Sequence, residues 1–204
     1  MQEELFNKIV NMDEEESIKL AKEFLDRGGK PQDLLEVCRK AMDAIGEKFE
    51  RGEYFLSELL LGGEIFKGIM EFVLPLIEES EIEKLGTIVL GTVKDDIHNI
   101  GKDIFKAFAQ AAGFEVIDLG VDVPEEKFVE AVKEHKPDIV GMSCLITAGI
   151  SSMKKTREAL RASGLENVKI IIGGGRVDES VRQFVDADAW SDDAARGVRI
   201  CKEL

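Results

Sequence analysis

Histidine is almost missing from this 204-residue chain: His98 and His135 are the only two. Cysteine is scarce as well. Cys38, Cys144 and Cys201 are an odd number, far apart and without CxxC spacing. That argues against a zinc site, which takes three or four protein ligands, and against a disulfide framework. It points instead to a reducing compartment, so a cytoplasmic location is expected. Positive charge is short too: 27 Lys and Arg stand against 41 Asp and Glu, for a net charge of -14. Nucleic acid and anionic membrane are poor partners for such a chain, because both reward basic surfaces. No apolar run reaches the roughly 18 residues of a membrane span. The start, Met1-Gln-Glu-Glu-Leu-Phe-Asn-Lys8, lacks the basic and apolar regions of a secretory signal. Internal repeats and low-complexity tracts are absent. What is present, 44% hydrophobic and 33% charged residues, is ordinary for a soluble globular protein.

The two halves follow different periodicities. Residues 1–84 read as helix: a short one over Glu4–Val10, and a second carrying Ile18, Leu20, Ala21, Phe24 and Leu25 that stops at Gly28-Gly29. A third starts at Pro31, carries Leu34, Leu35, Val37, Cys38, Ala41, Met42, Ile45 and Phe49, and ends near Gly52. A fourth, more apolar, spans about Phe55–Glu79, with a kink expected at Pro75. The acidic run Glu14-Glu15-Glu16 suits a first helical turn. Together they predict a four-helix bundle. After the charged linker Glu78–Lys84, residues 85–204 alternate strands with helices. Strands are expected at Thr87–Val93, Glu115–Leu119, Asp138–Ser143, Lys169–Ile172 and, weakly, Ala187–Trp190. Helices are expected near 99–112, 125–135, 150–163, 178–184 and 192–202. Such alternation predicts an α/β domain, a five-stranded, parallel, doubly wound sheet of the Rossmann or flavodoxin kind.

Asp96-Ile97-His98-Asn99-Ile100-Gly101 falls between the first strand and its helix, at the rim where open α/β sheets bind ligands. Asp96 can accept the hydrogen of one ring nitrogen of His98, which is how a metal-ligating imidazole is usually held. A metal here has one protein imidazole, so a macrocycle that already supplies most ligands fits. After 41 intervening residues comes Ser143-x-Leu145, and after 27 more Gly173-Gly174, each at the end of a strand.

These three motifs, in this order behind a helical bundle, closely resemble the cobalamin-binding corrinoid proteins, the methyl-carrying subunits of corrinoid-dependent methyltransferase systems. The same module occurs in cobalamin-dependent methionine synthase. The resemblance covers nearly the whole chain. It implies cobalamin as cofactor, passing between cob(I)alamin and methylcobalamin in turnover. It implies binding in a base-off, His-on form, with His98 as axial cobalt ligand and Asp96 as its hydrogen-bonded partner in catalysis. It further implies that Ser143 and Leu145 contact the displaced nucleotide tail, that Gly173, Gly174 and Gly175 leave it room, and that Gly101 lets the loop bend under the corrin. Thr92, Val93, Asn99, Ile100 and Thr147 are expected as further contacts, and Trp190 as a lining residue or a core residue. The segment Tyr54–Gly62 resembles the family's cap helix, so Phe55, Leu56 and Leu59 are expected to shield the methyl group. A serine that extends the Asp-His relay in methionine synthase is matched by Gly149; the relay is expected to stop at Asp96 or continue through water.

The family's partners would be a substrate-specific methyltransferase of O-demethylase or methylamine type, a second methyltransferase acting on tetrahydrofolate or a thiol, and a reductive activator. The chain itself would carry the methyl group without catalysing the transfer alone. A cobalamin-dependent sensor would usually add a DNA-binding module, and a mutase subunit would not normally carry the cap. A phosphorylated receiver would need an aspartate where Ser143 and Cys144 stand. His135, beside Pro137, reads as a solvated helix end, and Cys144 as a small buried filler.

Overall fold

The computed structural model describes residues 1–77 and 84–204. Contacts divide the chain into two units, Met1–Glu83 with Ala111–Gly113, and Lys84–Gln110 with Phe114–Leu204. The expected linker Glu78–Lys84 lies, apart from Lys84, outside the described residues.

The first unit holds α1 (Gln2–Val10), α2 (Glu14–Asp26), α3 (Pro31–Glu50) and α4 (Leu56–Val73). Asp13 caps α2, accepting from the Glu16 N–H, and Glu14, Glu15 and Glu16 fill its first turn, where their charge meets the positive end of the helix dipole. Gly28 ends α2 with φ +82°, and Gly29 lies so close to the Phe24 ring that a Cβ would sit 2.1 Å from it. Pro31 opens α3, whose apolar stripe from Leu34 to Ile45 is buried. The Tyr54 hydroxyl donates to the Val10 carbonyl at 2.6 Å, tying the α3–α4 connection to the end of α1. Pro75 does not kink a longer helix. α4 stops at Val73, and Leu74–Leu76 form a 3-10 turn, because proline offers no N–H to continue the ladder. The expected helix end at Glu79 is outside the described residues.

The second unit runs β1 (Gly86–Thr92), α5 (Ile100–Ala112), β2 (Phe114–Asp118), α6 (Glu125–His135), β3 (Ile139–Ser143), α7 (Thr147–Ala162), β4 (Lys169–Gly173), α8 (Glu179–Val185), β5 (Ala189–Ser191) and α9 (Ala194–Cys201). Its five strands are parallel, in the order β2-β1-β3-β4-β5. This is the doubly wound α/β arrangement, with its switch point between β1 and β3. Val89, Val140, Met142, Ile170 and Ile172 bury one face of the sheet with Phe128, Val132, Met153, Leu160 and Val185 of α6, α7 and α8. On the other face Gly197 of α9 approaches Phe105 of α5 and Ser191 of β5. Both faces are covered, which is why the strands read as unbroken apolar runs. Expected element boundaries are met within one to three residues. The fifth strand sits later than expected because Asp186 (φ 62°) and Ala187 still close α8. His135 is exposed at the end of α6, as the sequence suggests. No helix among the described residues is long and apolar enough to cross a membrane.

Candidate functional site

Beyond Thr92 the chain crosses the carboxyl end of the sheet and re-enters helix at Ile100. The bend is made by Asp95, in left-handed backbone at φ 69°, whose N–H donates to Asp122 Oδ1 at 2.8 Å. Asp122 (φ 52°) returns a bond from its own N–H to the Asp96 carbonyl at 2.9 Å. Short polar side chains tolerate this conformation. Gly101 therefore does not bend the loop. It lies in the first turn of α5 without a positive φ, and a Cβ there would meet nothing within 4 Å. What it leaves is open space at the start of α5.

Asp96 is buried, at 1% exposure, and both its oxygens are saturated. Oδ1 accepts from the His98 N–H at 2.9 Å and bonds His98 Nδ1 at 2.6 Å; Oδ2 accepts from the N–H groups of Leu145 (2.6 Å) and Ile146 (3.2 Å). Burial alone would push this carboxyl up. The N–H donors of His98, Leu145 and Ile146, together with the His98 ring, reverse that and hold it at about 2. An ionised carboxylate only accepts, so Nδ1 carries the ring hydrogen and Nε2 is the nitrogen left for a metal. The imidazole remains 51% exposed. The relay stops at Asp96, because backbone donors occupy the oxygen that a further member would need. Nor could a serine at position 149 reach it unopposed: a Cβ on Gly149 would lie 2.5 Å from Cys144 Sγ. Cys144 is buried and gives its thiol to the Ile146 carbonyl. Burial, and then the neighbouring Asp96 charge, push that thiol up to about 12, so it is a neutral filler. Cys38 and Cys201 are pushed to about 12 by burial too.

The second and third motifs meet the first through strand register. Thr92 pairs with Ser143, Ser143 with Gly173, and Gly173 with Ser191. Paired residues in a parallel sheet point to the same face, so four strand ends present a row of small residues toward α5 and α9. Ser191 was not singled out from the sequence. No motif marks it, and only register puts it in the row. Gly174 takes φ +125°, and a Cβ there would stand 1.9 Å from the Cys144 carbonyl oxygen. Its bareness is thus required by the strand ends themselves, and a bulky residue at 174 would break the β3–β4 crossing before it could fill any channel. Gly173 and Gly175 are less confined, with added Cβ atoms at 3.2 Å from Ser191 O and 3.0 Å from Leu145 Cδ1.

The segments that follow three strands expose apolar side chains: Ile97 and Ile100 after β1, Val121 after β2 and Leu145 after β3; the Leu145 N–H and that of Asp122, next to Val121, both bond Asp96. Ile97 fills the variable position of the Asp-x-His motif and Val121 lies in no motif, so neither residue type marks a site in the sequence. Asn99 and Thr147 are also exposed. Thr92 and Val93 are fully buried and offer a ligand no surface; Thr92 acts from beneath, donating to the His98 carbonyl at 3.0 Å. Trp190 packs on the α6–α8 face, opposite the small-residue row, with its indole N–H on Glu179 (3.0 Å) and Arg196 over its ring (5.3 Å). It is a core-edge residue rather than a lining one. In the helical unit Phe55 and Leu56 are exposed, whereas Leu59 is buried at 1% and belongs to the core. Its place three residues into α4 turns it inward.

Among the described residues no group of three or more His, Cys, Asp or Glu could hold a bare metal ion. A metal at His98 must bring its other ligands with it. The saturated Asp96, a half-exposed imidazole, an apolar rim and a bare row of small residues fit a large flat metallocycle with a trailing group.

Two matches to a B12 binding domain cover the chain, over residues 1–74 and 86–199. Trimethylamine corrinoid protein 1 of Methanosarcina acetivorans is 39% identical over 190 residues, 91% of this chain and 88% of that one. Dimethylamine corrinoid protein 1 of the same organism is 37% identical over 191 residues, 92% and 88% of the two chains. A cobalamin-binding protein from Desulfitobacterium hafniense superposes with TM-score 0.82 at 39% identity, covering 100% of this chain and 98% of that one. With its fold, its pinned histidine and these relatives, the chain belongs to the cobalamin-binding corrinoid protein family.

Proposed function

We propose that this protein is a methyl carrier that holds cobalamin base-off and His-on and serves a methylamine methyltransferase. The observation that carries this reading is the His98 imidazole, fixed at Nδ1 by a buried, ionised Asp96 with Nε2 left free. When bound, cobalamin supplies a cobalt centre that can accept a methyl group and give it up again. His98 Nε2 would be the protein's ligand to that centre. Asp96 keeps the ring hydrogen on Nδ1 and fixes the direction of Nε2. Ser143, Gly173, Gly175 and Ser191 line the course of the nucleotide tail, and Leu145, Ile97, Ile100 and Val121 meet the apolar underside. Asn99 and Thr147 are assigned to its polar rim. Phe55 and Leu56 are assigned to keeping water from the methyl group.

Trimethylamine and dimethylamine corrinoid proteins among the relatives favour a methylamine as donor over an aryl methyl ether. The partners are then a methylamine-specific methyltransferase, a second methyltransferase that delivers to tetrahydrofolate or a thiol, and a reductive activator. All of this takes place in the cytoplasm.

Hydroxocobalamin offered under reducing, oxygen-free conditions should stay with the protein through desalting. His98→Ala should keep the cofactor but lose the spectrum of an axial imidazole; an unchanged spectrum would remove the ligation. With methyltransferases that copurify from the native cell, methylation should proceed from a methylamine. Methylation from a methoxylated aromatic alone would overturn the donor.

A further inference from the structure

We propose that Lys102 is a positioning residue for His98, acting through the first turn of α5. Resting on the axial role of His98 proposed above, this adds a second support for the imidazole, separate from Asp96.

Lys102 is 3% exposed, and its ammonium is fully used: it donates to Asp118 Oδ1 and Oδ2, both at 2.8 Å, and to Asp103 Oδ1 at 2.7 Å. From each carboxylate a path leads back to the histidine. Asp103 Oδ2 accepts from the Asn99 amide at 2.8 Å, and Asn99 follows His98 directly. Asp118 Oδ1 accepts from the Gly120 N–H at 3.0 Å, the Gly120 carbonyl accepts from Thr92 N–H at 3.0 Å, and the Thr92 hydroxyl donates to the His98 carbonyl at 3.0 Å. These bonds form a closed ring around the place where β1, the end of β2 and the start of α5 meet. Lys102 is its only cation in contact with both acidic members.

Burying an ammonium is costly before its partners are counted, and an apolar residue of similar volume would often be no less stable. Packing alone does not call for a lysine here. A fixed register does: the two bonds to Asp118 tie α5 to the end of β2, the third holds Asp103 within the helix itself, and His98 lies two residues before that helix. Lys106 reaches only Asp118, at 3.1 Å, and closes no ring.

The test is made on the full-length protein loaded with cobalamin and reduced to the cob(II) state. There the nitrogen splitting in the EPR spectrum reports how much cofactor carries the axial imidazole. Lys102→Met should retain cobalamin while the His-off to His-on ratio rises at least tenfold. Because Lys102→Met leaves Asp118 and Asp103 each short of a partner, the double variant Lys102→Met/Asp118→Leu also removes the more buried of the two carboxylates and should restore the melting temperature without restoring the His-on signal. A double variant with wild-type melting and wild-type nitrogen splitting would overturn the proposal. Wild-type splitting in Lys102→Met alone would do the same. His98→Ala is the reference: if its spectrum equals that of the wild type, the axial role itself fails, and the two failures are told apart.

Discussion

On the β3 side of the His98 loop, the anchoring carboxylate Asp96 is met by neutral N–H donors and one imidazole. On the β2 side, Asp118 is met by two lysines. Both carboxyls are held below the usual range. Burial opposes this in each case; backbone donors then prevail at Asp96, and Lys102 first among other donors at Asp118. The electrostatic result differs. The charge of Asp118 is cancelled locally by cations, so that flank fixes position alone. Among the described residues no lysine or arginine bonds Asp96, so its charge is left for His98 and for whatever His98 binds. On the axial role proposed for His98, neighbouring strand ends of one sheet would separate two tasks, placement and electronic tuning.

Gly174→Ala should break the β3 flank most severely. A Cβ 1.9 Å from the Cys144 carbonyl, at φ +125°, should cost about 4 kcal/mol in urea unfolding. Asp96→Asn comes next, at about 3 kcal/mol, because an NH2 group replaces one of two oxygens that each accept two bonds. Acid unfolding should separate this carboxylate from the others. Its folded value of about 2 lies below the ordinary 3.8, so its stabilisation is complete above about pH 4 and is lost as pH falls through 2. Asp96→Asn should remove about 2 kcal/mol of that slope; an unaltered acid limb would show that Asp96 is not held down. Gly149→Ser should cost about 1 to 2 kcal/mol through contact with the Cys144 thiol, and Cys144→Ala should relieve it. A double-mutant cycle with no coupling would contradict the contact. The smallest effect belongs to the α5 flank. Gly101→Ala, with open space around it, should raise apoprotein stability by about 0.5 kcal/mol while weakening cobalamin binding. Unchanged affinity would mean that the space at Gly101 is not used by the cofactor.

The contrast also explains what could be read in advance. Asp96, His98 and Gly174 stand at fixed spacings, and their types announce their chemistry. Lys102 and Asp118 are sixteen residues apart, in an α-helix and a strand, and look like two more charges in a chain rich in them. Only folding makes one a buried cation and the other its counter-ion. Gly174 was legible as bare but not for the right reason, since nothing local tells that a carbonyl from the neighbouring strand end is what excludes a side chain. Leu59 fits an apolar stripe and Trp190 a strand end, yet which way each turns depends on helix phase and sheet face. The periodicities of 2 and 3.6 give a face only once the partner layer is known.

By itself the sequence determined a helical half, a parallel α/β half and a single imidazole aided by an aspartate two residues away. Those features rest on local periodicity and on contacts within a few residues. The tertiary structure decided the two donors that Leu145 and Ile146 bring to Asp96, the small-residue row closed by Ser191 and the ring through Lys102. Each of these joins strands and helices far apart in the chain, and only sheet order and register set which atoms meet.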